Sequence, residues 1–215
     1  MKITAIITAG GTSSRFGNTN KLLEKINGKE IIKYTVEAFL ASNVDEVIIS
    51  ANASIMATLA EFFSGIKIVQ GGNSRQESVF NGLKAADCDY VLIHDGARPM
   101  ISPEIINKTI TSVIEKKAVS VMTKTVDTIK EVDENGKIIR TIDRSKLYNT
   151  QTPQAFEYEL IKSAHDKLQG QNFTDDAGMI EFLGKDVYIV DGDYRNIKVT
   201  TKSDIALAKI YLTQK

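Results

Sequence analysis

Short apolar runs recur along the chain, each rich in β-branched residues and too short for a useful helix. They are "ITAII" (3–7), "VDEVIISA" (44–51), "IKIVQ" (66–70), "DYVLIHD" (89–95), "AVSVM" (118–122) and "DVYIV" (186–190). Runs of this length and composition fit buried strands. Helix-period patterns lie between most of them, and that βαβ rhythm predicts an α/β fold with a mostly parallel sheet covered by helices on both faces. Helix starts are marked as well. "SRQE" at Ser74 and "TKSD" at Thr201 read as capping boxes, and Ser102 followed by Pro103 reads as an N-cap and first-turn pair.

One segment breaks the rhythm. Residues 125–149, "TVDTIKEVDENGKIIRTIDRSKLYN", hold two alternating runs around Asn135-Gly136, a dipeptide suited to a type I′ hairpin turn. The pattern predicts a projecting β-arm. A lone hairpin is marginal in water, so an arm of this length leans on something. A second copy of the chain is the simplest candidate, and an antiparallel ribbon folded back on its own domain is the alternative. No repeat, low-complexity tract or flexible linker divides the sequence, which reads as one domain over residues 1–215.

Composition narrows the chemistry. At 215 residues, 42% hydrophobic and 25% charged, the chain is ordinary for a globular protein. Its 27 basic residues balance 27 acidic ones, so it exerts no strong pull on nucleic acid or an anionic membrane, and any anion site must be local. The single cysteine, Cys88, excludes an intrachain disulfide and reads as a small hydrophobe, in keeping with a reducing compartment. Too few apolar residues precede Gly10 for a signal core, and no apolar run reaches about 18 residues. The expected location is cytoplasmic.

Four polar clusters sit at the presumed carboxyl ends of strands, where open α/β sheets bind ligands. The first, "TAGGTSSRFGNTNK" (8–21), pairs two glycines with Arg15 and Lys21. It lacks the spacing of a P-loop, and the second strand ends "SANAS" with no carboxylate to hold a dinucleotide ribose. A nucleoside triphosphate cradle remains, with backbone amides and two cations meeting the phosphates. The second, "GGNSRQES" (71–78), opens a capped helix whose N-terminus favours anions. The third, "DGARP" (95–99), sets Asp95, a carboxylate suited to Mg²⁺, beside Arg98, suited to phosphate. The fourth, "NIKVT" (196–200), places Lys198 in an otherwise apolar run. Taken singly, these are a tight turn, a cap, a surface ion pair and a solvated strand residue; together they point to one anion site. His94 reads as a structural strand residue and His165 as part of a solvent-facing helix.

These residues carry a family resemblance. "TAGGTSSRFG", "GGNSRQESVFNGL", "VLIHDGARP", "VDTIKEVDENGKIIRTIDRSKLY", "QTPQAF", "TDDAGMIEFLG" and "NIKVTTKSDIALA" resemble, in order, the cytidylyltransferases that act on 2-C-methyl-D-erythritol 4-phosphate. The resemblance implies a doubly wound, Rossmann-like nucleotidyltransferase fold, CTP as co-substrate, Mg²⁺, a homodimer joined through the β-arm, and a place in the non-mevalonate route to isoprenoids. It puts the CTP loop on Ala9, Gly10, Gly11, Arg15 and Lys21, with Gly72 and Ser78 near the cytosine and ribose. Asp95 takes the metal position. Arg98, Thr128, Arg144, Thr152 and Lys198 fall around the sugar-phosphate or the reacting phosphates, with Thr128, Arg144 and Thr152 contributed across the dimer. Two positions depart from the family. Asn20 stands where proline is common and is expected to loosen the backbone carrying Lys21. Asn73 stands where an acidic residue is common.

The implied reaction joins two anions, so it needs fixed positive charge and no nucleophilic side chain. Arg15, Lys21, Lys198 and Mg²⁺ on Asp95 fit that need. A cytidylyltransferase for another polyol phosphate, such as ribitol 5-phosphate, and a non-catalytic nucleotide-binding module are the competing readings.

Overall fold

The computed structural model describes residues 1–11 and 20–213. The amino-terminal half runs β1 (Ile3–Ala9), β2 (Lys25–Ile26), β3 (Lys29–Glu30), α1 (Ile31–Leu40), β4 (Glu46–Ala51), α2 (Met56–Phe62), β5 (Lys67–Gln70), α3 (Arg75–Ala85) and β6 (Tyr90–Asp95). The remainder runs α4 (Pro103–Lys116), β7 (Ala118–Lys124), β8 (Lys130–Val132), β9 (Ile138–Thr141), β10 (Tyr148–Glu157), α5 (Tyr158–Lys167), α6 (Asp176–Phe182), β11 (Tyr188–Asp191) and α7 (Lys202–Thr213).

Seven of these strands form one sheet in the order β11-β7-β10-β6-β1-β4-β5. All run parallel except β10, which pairs antiparallel with both β6 and β7. The alternation of β1 shows why the sheet is covered twice. Ile3, Ala5, Ile7 and Ala9 pack into one core with residues of α1, α2 and α4, whereas Ile6 faces a second core with residues of α3, α5 and α6. That is the doubly wound arrangement. The chain leaves β1 toward β4 and later returns to lay β6 on the other side of β1, so the order reverses at the carboxyl ends of β1 and β6.

The six predicted strands are present with ends shifted by a few residues, but β10 is an addition. Its sequence, "YNTQTPQAFE", is polar and contains Pro153, which argues against a central strand. The structure accommodates it with a register shift against β7 between Thr150 and Gln154, and the Thr152–Pro153 peptide is cis. Ser102 caps α4 and Pro103 opens it. Thr201 and Asp204 exchange the two bonds of a capping box, at 3.3 Å and 2.8 Å. Ser74 also caps its helix, but the Glu77 carboxylate reaches back to the N–H of Asn73 at 2.6 Å, one residue beyond the box.

The arm is a separate two-stranded ribbon, β8 with β9. Its turn is not type I′. Only Gly136 has positive φ, at 80°; Asn135 does not, and residues 134–136 form a three-residue loop closed by Asp133 and Lys137. Asp133 fixes it by accepting from the N–H groups of Asn135 and Lys137. Val126, Val132, Ile138 and Ile139 are each more than half exposed, so the ribbon does not bury its apolar side chains on its own domain.

Candidate active site

The loops after β1, β5 and β6 meet around a cavity of about 280 Å³. Ala9, Gly10, Gly11, Lys21, Ser78 and Lys198 line it together with Arg75 and Asp95. The two glycines do different things. A Cβ on Gly10 would stand 2.5 Å from Ser78 Oγ, so Gly10 lets α3 pack against the loop, whereas among the described residues nothing lies within 4 Å of a Cβ on Gly11. Ser78 ties the second glycine loop to the same point, its hydroxyl accepting from Gly72 N–H at 3.1 Å and donating to the Ser74 carbonyl at 2.8 Å. Lys21 starts a short 3₁₀ turn that Asn20 caps by accepting from Leu22 N–H at 3.0 Å. Asn20, expected to loosen this backbone, here supplies a side-chain cap to the turn that carries Lys21.

The electrostatic centre is Asp95, the last residue of β6, buried and held from both edges. Its Oδ2 lies 2.9 Å from Lys198 Nζ and 3.4 Å from Arg98 Nε, and its Oδ1 lies 3.3 Å from Arg75 Nε. Burial alone would raise the carboxyl, but Lys198, then Arg75 and Arg98, hold it well below the usual carboxylate range. Arg75 also reaches Asp176 Oδ2 at 2.8 Å.

A second cavity, of about 230 Å³, lies against the first and shares Arg75, Asp95 and Lys198 with it. Arg98, Thr152 and Gln154 contribute to its lining. Thr152 Oγ1 accepts from Asp95 N–H at 3.1 Å and lies 3.0 Å from His94 Nδ1, so β10 fixes the end of β6. The loop carrying Lys198 is fixed by amides. Asn196 Nδ2 donates to the Thr152 carbonyl and to Gln151 Oε1, and Gln151 Nε2 donates to the Asp193 carbonyl. Arg98 Nη1 donates to the Asn196 carbonyl at 2.8 Å.

Both histidines are buried. His94 packs on Phe39 with ring centroids 5.0 Å apart. His165 corrects the expectation of a solvent-facing position: it lies on the buried face of α5, parallel to the Phe80 ring, with Nε2 at 3.9 Å from Asp176. Burial pushes His94 down to about 3 and lowers His165 as well. The unfolded chain takes up protons near pH 6.5 that the folded chain refuses, so stability is complete above that value and falls as pH drops toward the folded values. Chemical denaturation should show about 1 kcal/mol lost between pH 6.5 and 5.5 from His94, with His165 adding to the loss in the same direction. Constant stability from pH 7.5 to 5 would contradict neutral burial of both rings.

The structure thus gathers Ala9, Gly10, Gly11, Lys21, Ser78, Asp95 and Lys198 in the first cavity, and Arg98 and Thr152 in the second; the expectation that Thr152 comes from across the dimer is corrected, since it is buried beside its own chain's Asp95. Gly72 stands one step behind the first, bonded to Ser78. Thr128 and Arg144 line neither. They lie at the exposed base of the arm, beyond the last pair between Ile129 and Ile142, with Arg144 in a 3₁₀ turn and donating to the Val126 carbonyl. Arg15 lies outside the described residues. Arg75 was missed as a site residue because it reads as the second residue of a capping box. The same reading does place it at the first turn of a helix after a strand, which is the signal that could have found it.

A family model described as IspD, 2-C-methyl-D-erythritol 4-phosphate cytidylyltransferase, matches residues 3–214. The chain belongs to this family. A relative of that name from Caldanaerobacter subterraneus is 40% identical over 99% of both chains, and one from Dictyoglomus thermophilum is 42% identical over 95% of this chain and 94% of its own. Among solved structures, the 4-diphosphocytidyl-2C-methyl-D-erythritol synthase of Anaerococcus prevotii superposes with a TM-score of 0.88 at 35% identity, covering 99% of this chain and 96% of that one. The family's cytidylyltransferase from Thermus thermophilus gives 0.84 at 27% identity with full coverage of both. Both superpositions cover 99% or more of this chain. Among the described residues no helix is long and apolar enough to cross a membrane.

Proposed function

We propose that this chain transfers the cytidylyl group of CTP to 2-C-methyl-D-erythritol 4-phosphate in non-mevalonate isoprenoid biosynthesis. The products are 4-diphosphocytidyl-2-C-methyl-D-erythritol and pyrophosphate. One observation carries the reading: two cavities meet at a wall made of Arg75, Asp95 and Lys198. A reaction between two bound phosphates needs that layout. CTP takes the glycine-loop cavity, and the polyol phosphate takes the cavity lined by Arg98 and Thr152. A monoester oxygen attacks the α-phosphorus, the new P–O bond forms, and the bond to the bridging oxygen breaks as pyrophosphate leaves with the electron pair. The monoester carries about −1.5 to −2 charge at neutral pH, so no general base is required. The barrier is the repulsion between anions, and Lys21, Lys198 and, by family resemblance, Arg15 oppose it with charge held in place.

Among the described residues no group of three or more His, Cys, Asp or Glu side chains is arranged to hold a metal. Asp95 suits a different kind of site. Its carboxylate stays ionised, and Mg²⁺ often binds through one carboxylate, waters and substrate phosphates rather than an all-protein cage. When bound with CTP, the ion would neutralise phosphate oxygens beside Lys198. The arm completes the proposal. Its exposed aliphatic side chains pair two copies into a homodimer, and the partner subunit's Thr128 and the partner subunit's Arg144 close the polyol-phosphate cavity. Both substrates are water-soluble anions, and the reaction is placed in the cytoplasm.

The test is pyrophosphate release from CTP with methylerythritol phosphate, with ribitol 5-phosphate, or with no acceptor. Release with the first alone is the expected result; release with ribitol 5-phosphate alone, or with neither, rejects the reading. In the same assay a chelator should abolish turnover and Mg²⁺ restore it. Asp95→Asn should blunt the restoration, and a variant with unchanged metal dependence would remove Asp95 from that role.

A further inference from the structure

We propose that Arg75 is a positioning residue for the transfer, fixing the Oδ1 edge of Asp95 at the wall between the two cavities while the buried Asp176 fixes Arg75. The inference rests on the reading above. Its ground is the partition of contacts on Asp95. Lys198 and Arg98 both address Oδ2, and among the described residues Arg75 is the cation that addresses Oδ1, at 3.3 Å. A carboxylate held at one oxygen can turn about its Cβ–Cγ bond; one held at both edges cannot. Arg75 suits this task because its planar fork sends Nε to Asp95 and Nη2 to Asp176 Oδ2 at once, which a point charge cannot do.

Arg75 is itself anchored. Asp176 is 1% exposed, sits in the first turn of α6, and donates its backbone N–H to Gln154 Oε1 at 2.9 Å. Gln154 belongs to β10, two residues past Thr152, and Thr152 receives the Asp95 N–H. The backbone and the side chain of Asp95 are therefore set from the same strand, one directly and one through Asp176 and Arg75. Arg75 is committed to Asp176 and to the Oδ1 edge of an Asp95 that it shares with Lys198 and Arg98. Its contribution is geometric.

The experiment compares Arg75→Gln, Arg75→Lys and the double variant Arg75→Gln/Asp176→Asn in steady-state pyrophosphate release, with thermal melting alongside. Arg75→Gln should lose about 10²-fold in kcat, the scale of a misplaced catalytic group, with KM for CTP within about threefold of wild type. It should also melt earlier, because Asp176 is left buried without its counter-ion. The double variant removes that unpaired charge, so it should regain thermal stability and keep the kcat defect. Arg75→Lys, which satisfies one carboxylate at a time, should fall between. Recovery of kcat to within about threefold of wild type in the double variant would show that Arg75 only balances Asp176. A raised KM with normal kcat in Arg75→Gln would make it a substrate-binding cation instead. Wild-type protein inactive with CTP and methylerythritol phosphate would reject the functional reading itself, and is distinguishable from both.

Discussion

Replacing Lys198 or Lys21 with alanine is expected to lower kcat by about 10²- to 10³-fold without unfolding the protein, the cost typical of one preorganised electrostatic donor. The physical reason is the charge of the reaction. Two phosphate-bearing reactants must approach, and negative charge spreads over the equatorial oxygens of the α-phosphorus as they do. Lys198 stands at the wall shared by both cavities, and Lys21 stands at the triphosphate side, each on backbone fixed by side-chain hydrogen bonds. A loss of that size corresponds to about 2.7 to 4 kcal/mol of transition-state stabilisation. The fold should survive, since Asp95 keeps Arg75 and Arg98 when Lys198 is removed and no buried carboxylate is left alone. Steady-state kinetics with thermal melting checks this. Near-normal turnover in both variants would show that neither ammonium faces the reacting phosphates.

Mixing two inactive variants, Lys21→Ala and Arg144→Ala, is expected to restore activity once subunits exchange. Arg144 is exposed at the base of an arm whose aliphatic side chains its own domain leaves uncovered, and it lines neither cavity of its own chain. An arginine fork there is a suitable phosphate clamp for a neighbouring copy. Random exchange makes half the dimers mixed, and each mixed dimer has one complete site of two, so about one quarter of wild-type specific activity should return. Activity that stays at the level of the parent variants despite verified exchange would place the whole site within one chain.

Much of this architecture was legible in the sequence. The β-branched runs that became β1, β4 and β6 are buried on both faces, and a strand of that kind needs no distant information to declare itself. The caps at Ser102 and Thr201 are likewise local chemistry. His165 was misplaced although its helix spacing with Tyr158, Ile161 and Ala164 marks the buried face, because a histidine type argues for solvent more strongly than its position argues for the core. The turn at Asn135-Gly136 was misassigned because loop length, set by the pairing of Asp133 with Lys137, decides turn type more than the dipeptide does.

By itself the sequence determined the repeated strand and helix elements, the glycine loops at strand ends, the arm and the family, since each rests on residues near one another in the chain. Only the tertiary structure decided that β10 is a central strand, because its polar residues Gln151, Thr152 and Gln154 become buried and satisfied only once β6, β7 and the loop at Asn196 surround them. It also decided that Arg75, Arg98 and Lys198 converge on one carboxylate. Arg75 meets Asp176 across 101 residues of chain, and no local pattern encodes such a meeting. Electrostatic energy depends on distance in space, and that distance exists only after the sheet has brought the ends of β1, β5 and β6 together.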